Sequence, residues 1–105
     1  QSYGFLGNFE AAISTLNQAV TLNPNYWEAW QSIGKAYGMQ GNFVEAEKNL
    51  LNAAKVSPNN EAILFDLAIT YMNSGQKEKA KSIINRLIQI NPENNDYKGM
   101  LNAVQ

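Results

Sequence analysis

The only three prolines of this sequence, Pro24, Pro58 and Pro92, stand 34 residues apart, and that spacing constrains the chain more than anything else in it. Other residue types keep the same step: Gly7, Gly41 and Gly75; Ala12, Ala46 and Ala80; Tyr3, Tyr37 and Tyr71; Leu16, Leu50 and Ile84. A fixed period of this size marks stacked units that bury their apolar faces only against their neighbours. The stretch from Trp27 to Asn60 carries one complete period and is echoed on both sides.

Within that central unit the pattern reads Trp30-x-x-Ile33-Gly34-x-x-Tyr37, then Ala46-x-x-x-Leu50, then Ala53 and Pro58. It resembles the tetratricopeptide repeat, a helix-turn-helix unit of the same length. The next unit matches through Leu64, Leu67, Ala68, Tyr71, Ala80, Ile84 and Pro92, and departs at Leu87, where the family has a small residue and where added bulk is expected to widen the packing. The resemblance implies an all-α fold, a right-handed superhelical stack of antiparallel helix hairpins. It divides the single domain 1–105 into a partial first repeat (1–26), a second (27–60), a third (61–94) and a terminal helix or start of a fourth (95–105). Beginning without methionine and inside a repeat, the chain reads as a fragment of about three repeats of a longer protein.

The local signals agree with helices joined by short turns. Gly7-Asn8 and Gln40-Gly41-Asn42 have turn and N-cap chemistry, and Asn23-Pro24-Asn25 supplies a stop and a new cap. Apolar residues recurring at three- and four-residue steps place helices near Asn8 to Leu22, Tyr26 to Met39, Phe43 to Val56, Glu61 to Asn73, Lys77 to Ile90 and Asp96 to Val104. Asn94 or Asn95 caps the last. Gly34 and Ala46 are small where two helices of one hairpin approach each other closely. Lys77, Lys79 and Lys81 read as a solvated face.

Composition narrows the chemistry. There is no cysteine and no histidine, so thiolate nucleophiles, imidazole bases, disulfides and the usual zinc ligands are excluded together. Glu45, Glu47 and Asp66 form no convergent acid-base set, because Glu45 and Glu47 point to different sides of a helix. The chain is therefore read as no enzyme, with no catalytic, metal or cofactor site. Eight basic against nine acidic residues, none in a basic block, argue against nucleic acid. No apolar run reaches the roughly 18 to 20 residues that cross a bilayer, so this fragment inserts in no membrane. No targeting signal is read; the compartment stays open, with the cytoplasm favoured and any signal placed outside the fragment.

Binding remains. In the family the first helix of each unit lines a concave groove that takes an extended peptide or a partner helix. Carried over by position, the groove candidates are Glu28, Gln31, Lys35 and Gly38 in the central unit, then Ala62, Phe65, Ile69 and Met72 in the next, with Asp66 beside them. The slots are polar or empty in one helix and apolar in the other. The helix from Glu61 to Asn73 is apolar around most of its circumference, leaving a polar stripe of Asp66, Thr70 and Asn73. Either the terminal helix covers its greasy side or a partner does.

A subgroup of the family grips the C-terminal carboxylate of chaperone peptides with lysine, asparagine and arginine. Here one of those positions holds Asp66, whose charge repels a carboxylate. The expected function is a protein-protein interaction scaffold for another protein or a peptide. The alternatives are a self-assembly module joining copies of this chain and a support domain for an enzyme outside it. For self-association, the apolar residues Phe5, Phe9, Ile13 and Leu16 are expected to be under-covered. The segment Asp96 to Val104 of a second copy would then fill the slot, head to tail.

Overall fold

The structure, a computed structural model, describes residues 2–104, with side chains from residue 10 onward. It consists of six helices: α1 (Ser2–Leu22), α2 (Trp27–Met39), α3 (Phe43–Val56), α4 (Glu61–Asn73), α5 (Lys77–Ile90) and α6 (Asn95–Ala103). Successive helices pack on each other in chain order, and α2 also meets α4 across the stack.

The hairpin α2–α3 closes on missing side chains. A Cβ placed on Gly34 would lie 2.7 Å from Leu50 Cγ and 3.1 Å from the Ala46 carbonyl oxygen, so only glycine lets the helices come this close. In α4–α5 Ala68 and Ala80 occupy the same register and are fully buried. Gly41 and Gly75 turn the two hairpins with φ of 81° and 79°, the left-handed region that glycine enters without a Cβ penalty. Three helices are capped by asparagine, two of them, at Asn42 and Asn94, where the sequence places a cap. Asn42 accepts from the Glu45 amide, Asn60 from those of Ala62 and Ile63, and Asn94 from that of Asp96.

The core is divided between two clusters. One joins α3, α4, α5 and α6 around Leu50, Ile63, Leu64, Leu67, Ile84, Leu87, Tyr97 and Val104. The other joins α1 and α2 around Ile13, Val20, Ala29 and Ile33. Trp30 touches both, and its indole Nε1 donates to the Pro24 carbonyl at 2.8 Å, fixing the turn before α2 to the core. Leu87, the one bulky departure from the repeat pattern, is fully buried among these residues.

Three expectations are corrected. α1 runs without a break through Gly7 and Asn8, so no turn forms there and Asn8 caps nothing. A glycine turn is favourable when both flanking helices bury a face against each other. Among the described residues no helix precedes α1 to provide such a face, and continuing the helix keeps the backbone hydrogen bonds in register. Asn25 does not cap α2 either: Tyr26 holds that position with no side-chain bond, while the Asn25 amide donates to Asn23 Oδ1 at 3.3 Å in a side-chain-closed turn. Finally, Ile13 is not under-covered. It lies against α2 and is only 7% exposed, whereas Leu16 is half-buried and Ala12 exposed. Phe5 and Phe9 fall outside the described side chains.

Candidate functional site

α2 and α4 lie side by side and leave a gap between them. It is a cavity of about 260 Å³ whose walls are Lys35 and Gly38 of α2 and Asp66, Ile69, Thr70 and Asn73 of α4. Gly34, Met39, Phe43 and Leu50 complete its lining. A Cβ on Gly38 would meet only Ala46 Cβ, at 3.8 Å; unlike Gly34, this glycine is not demanded by the helix contact.

Several of the groove candidates come together here. Gln31 Nε2 donates to Asp66 Oδ2 at 2.9 Å across the two helices. Lys35, Asp66 and Ile69 share the cavity wall. Burial pushes the Asp66 carboxyl above its ordinary value, opposed by the Gln31 hydrogen bond and the Lys35 charge. Among the described residues the one ion pair within 4.0 Å is Lys79–Glu47, so Lys35 acts on Asp66 from beyond contact range.

The others lie apart. Glu28 and Ala62 are exposed on the surrounding surface. Phe65 turns toward α6, where its ring meets that of Tyr97 at 6.3 Å between centroids and a 43° tilt, and it stays 38% exposed. Met72 is half-buried against the core. The α4 residues lining the cavity are thus rotated by about 70° from the stripe Ala62, Phe65, Ile69, Met72, at 100° per residue. The polar stripe Asp66, Thr70, Asn73 faces the gap. Thr70 is buried there, its hydroxyl donating to the Asp66 carbonyl at 2.9 Å. Met39, Phe43 and Leu50 were missed as lining residues. The sequence cue beside them is Gly38, whose missing side chain leaves room on this flank of α2.

A larger depression of about 810 Å³ runs along α1 against Tyr37 and Gln40. Most of its lining, from Glu10 and Ile13 to Thr21 and Leu22, comes from α1, with Tyr37 and Gln40 of α2 opposite.

Two polar ties brace the stack away from the cavity. Tyr71 Oη donates to Glu47 Oε2 at 2.9 Å, with Lys79 Nζ 5.7 Å above the Tyr71 ring. Lys79 is mostly solvated, as its run suggests, but it also pairs with Glu47 at 3.6 Å. At the other end Glu61 accepts from the Tyr97 hydroxyl and from Asn91 Nδ2, joining α4, the end of α5 and α6. These bonds hold the Glu61 carboxyl below its ordinary value, while burial and the Glu61 charge push the Tyr97 hydroxyl up to about 12. Among the described residues no group of His, Cys, Asp or Glu could hold a metal ion, and no helix is long and apolar enough to cross a membrane.

A tetratricopeptide repeat family model matches residues 39–104, and a TPR repeat model matches residues 5–41. No curated protein sequence matches the chain. Among solved structures it is similar to the first TPR of Spaghetti (RPAP3) bound to the HSP90 peptide SRMEEVD, at 17% identity and a TM-score of 0.84, covering 98% of this chain and 84% of that one. It is also similar to TTC0263, a thermophilic TPR protein of Thermus thermophilus, at 23% identity and 0.86, covering 99% and 53%. A third is the MamA protein, at 22% and 0.86, covering 97% and 56%. The chain therefore spans about half the length of the latter two. These likenesses show the fold, an all-α stack of tetratricopeptide hairpins.

Proposed function

Because the chain belongs to the tetratricopeptide repeat family, we propose that it is a protein-interaction scaffold holding a peptide segment or partner helix along the side where α2, α4 and α6 follow one another. The proposed units are 27–60 and 61–94, flanked by a partial repeat over 1–26 and a terminal helix over 95–105.

The observation that carries this reading is the uncovered gap between α2 and α4, with apolar side chains beside it. Phe65 and Ile69 remain partly open to solvent although α6 ends the stack next to them. Glu28, Gln31, Lys35, Ala62, Phe65, Asp66, Ile69 and Met72 are its proposed contacts, with Phe65 as the apolar anchor. Two of the similar structures hold peptides: the first RPAP3 domain holds SRMEEVD, and the second domain of the human protein holds SGPTIEEVD. Both peptides are acidic and end in aspartate, whereas this groove presents Asp66 on its wall, so the scaffold is common and the ligand charge is not.

Head-to-tail self-association has less to work with. α6 turns Tyr97, Met100, Leu101 and Val104 onto its own stack and leaves Asn95, Lys98 and Asn102 outside, the polar outer face that terminal units of such arrays need.

The test is binding of a peptide selected against the chain. Replacing Phe65 by Ala is expected to weaken it by about 2 kcal/mol or more, roughly 30-fold, with the helical spectrum unchanged. Unfolding of that variant would instead assign Phe65 to the core and remove the anchor.

A further inference from the structure

We infer that the cavity between α2 and α4 is a pocket for a lysine or arginine side chain of the partner segment, with the Asp66 carboxylate as its charge receptor. This rests on the peptide-groove reading and gives it a ligand chemistry. The cavity holds about 260 Å³, the size of one long side chain. Its lining is largely apolar, with Leu50, Phe43, Met39 and Ile69 beside the bare backbone of Gly38. Asp66 stands beside them. Long basic side chains have the matching form: a methylene stem that lies along apolar surface and a charged head that seeks an acceptor.

Asp66 is equipped to receive that head. One carboxylate oxygen is occupied by Gln31, which also fixes the rotamer. Among the described residues no ion pair closes on the carboxylate, and its partial burial means that a contact made there is less screened by water than one on the rim. The wall thus carries a carboxylate whose ionisation the fold disfavours, an arrangement that serves a cationic ligand better than it serves the folded chain alone.

Lys35 is the competing cation. It is exposed, lines the cavity, and its charge favours the ionised Asp66 from beyond contact range. A ligand cation has to compete with that charge. The two residues should therefore act in opposite directions: losing Asp66 weakens binding, and losing the Lys35 charge strengthens it. An acidic ligand, gripped by Lys35, would reverse both signs.

The experiment is selection of a random twelve-residue peptide library displayed on phage against the whole 105-residue chain, followed by polarisation titration of one enriched, fluorescein-labelled peptide. The expected peptides carry Lys or Arg beside an apolar residue. Asp66→Asn, which keeps the Gln31 hydrogen bond through its amide oxygen, should weaken binding about ten-fold, and Lys35→Met should tighten it two- to five-fold, ratios of the order expected for charge-assisted contacts. Gly38→Leu should fill the pocket and abolish binding while circular dichroism shows an unchanged helical fold. Replacing the peptide's lysine by norleucine should cost as much as Asp66→Asn. Enrichment of acidic peptides, weakened by Lys35→Met and indifferent to Asp66→Asn, would overturn the basic-pocket inference and leave the groove standing. Failure to enrich any peptide that Gly38→Leu displaces would overturn the groove reading itself.

Discussion

Helices α2 and α4 occupy the same place in successive hairpins and share a core register. Ile33 and Leu67 are both buried, and Gly34 and Ala68 are the small residues facing the second helix of their hairpins. Their other faces have little in common. α2 carries Glu28, Gln31, Lys35 and Gly38; α4 carries Ala62, Phe65, Ile69 and Met72 in the matching slots, and of these four only Ile69 lines the gap, beside Asp66, Thr70 and Asn73. Stacking fixes one side of each helix because a neighbour must fit against it. The rest of each helix is less constrained by such a fit, so its residues are free to differ.

The largest effects should come from the shared side. Ile33→Ala and Leu67→Ala each remove a fully enclosed side chain and should each cost about 2 to 5 kcal/mol in denaturant unfolding. A loss below about 1 kcal/mol at either would break the common register. The two glycines of α2 should then separate by sign. Gly34→Ala drives a Cβ into Leu50 and the Ala46 carbonyl, an overpacking cost of about 1 to 3 kcal/mol. Gly38→Ala meets nothing closer than 3.8 Å and should stabilise by up to about 1 kcal/mol through helix propensity. Equal shifts in Tm would mean that the gap beside Gly38 is part of the packing.

Smaller effects should appear against pH. The Glu61 carboxyl sits below its ordinary 4.5 in the fold, so its contribution is complete above that value and is lost as pH falls through the lower folded one. Asp66 runs the other way. Its folded value lies above the ordinary 3.8, the folded chain holds the proton more tightly, and stability declines as pH rises through that interval. Asp66→Asn should accordingly raise the unfolding midpoint at about pH 7 and lose that advantage in strong acid, while Tyr97→Phe should do the reverse, destabilising near neutrality and less so below about pH 4. Thermal melts from about pH 3 to 7 read both. An Asp66→Asn chain less stable near neutrality would mean that the carboxylate is held for the fold and not for a ligand.

The 34-residue period made the core legible because packing repeats with it: Leu50, Ala53, Leu64, Leu67, Ala80 and Ile84 are buried as their positions in the period require. The same period misplaced the turn at Gly7. Gly-Asn turns at Gly41-Asn42 because α2 and α3 bury faces against each other, and no such pair flanks Gly7-Asn8 among the described residues. The gap-lining side of α4 was harder to aim for another reason. A helix apolar around most of its circumference offers no single polar face to orient it, and only the contact with α2 shows that Asp66, Thr70 and Asn73 face inward. Gly38 showed in the sequence; the cavity it opens did not, because that depends on what lies beneath a side chain that is absent.

The most direct test of a partner segment lying between α2 and α4 is a nitrogen-15 correlation NMR titration of the chain with an enriched peptide. Amide shifts should concentrate at Gln31, Lys35, Gly38, Asp66, Ile69 and Thr70, with Glu47, Lys79 and Arg86 on α3 and α5 unmoved. Shifts confined to α1 around Asn17 and Thr21, or to the exposed side of α3 around Val44 and Leu51, would put the partner on another surface and contradict a partner between α2 and α4.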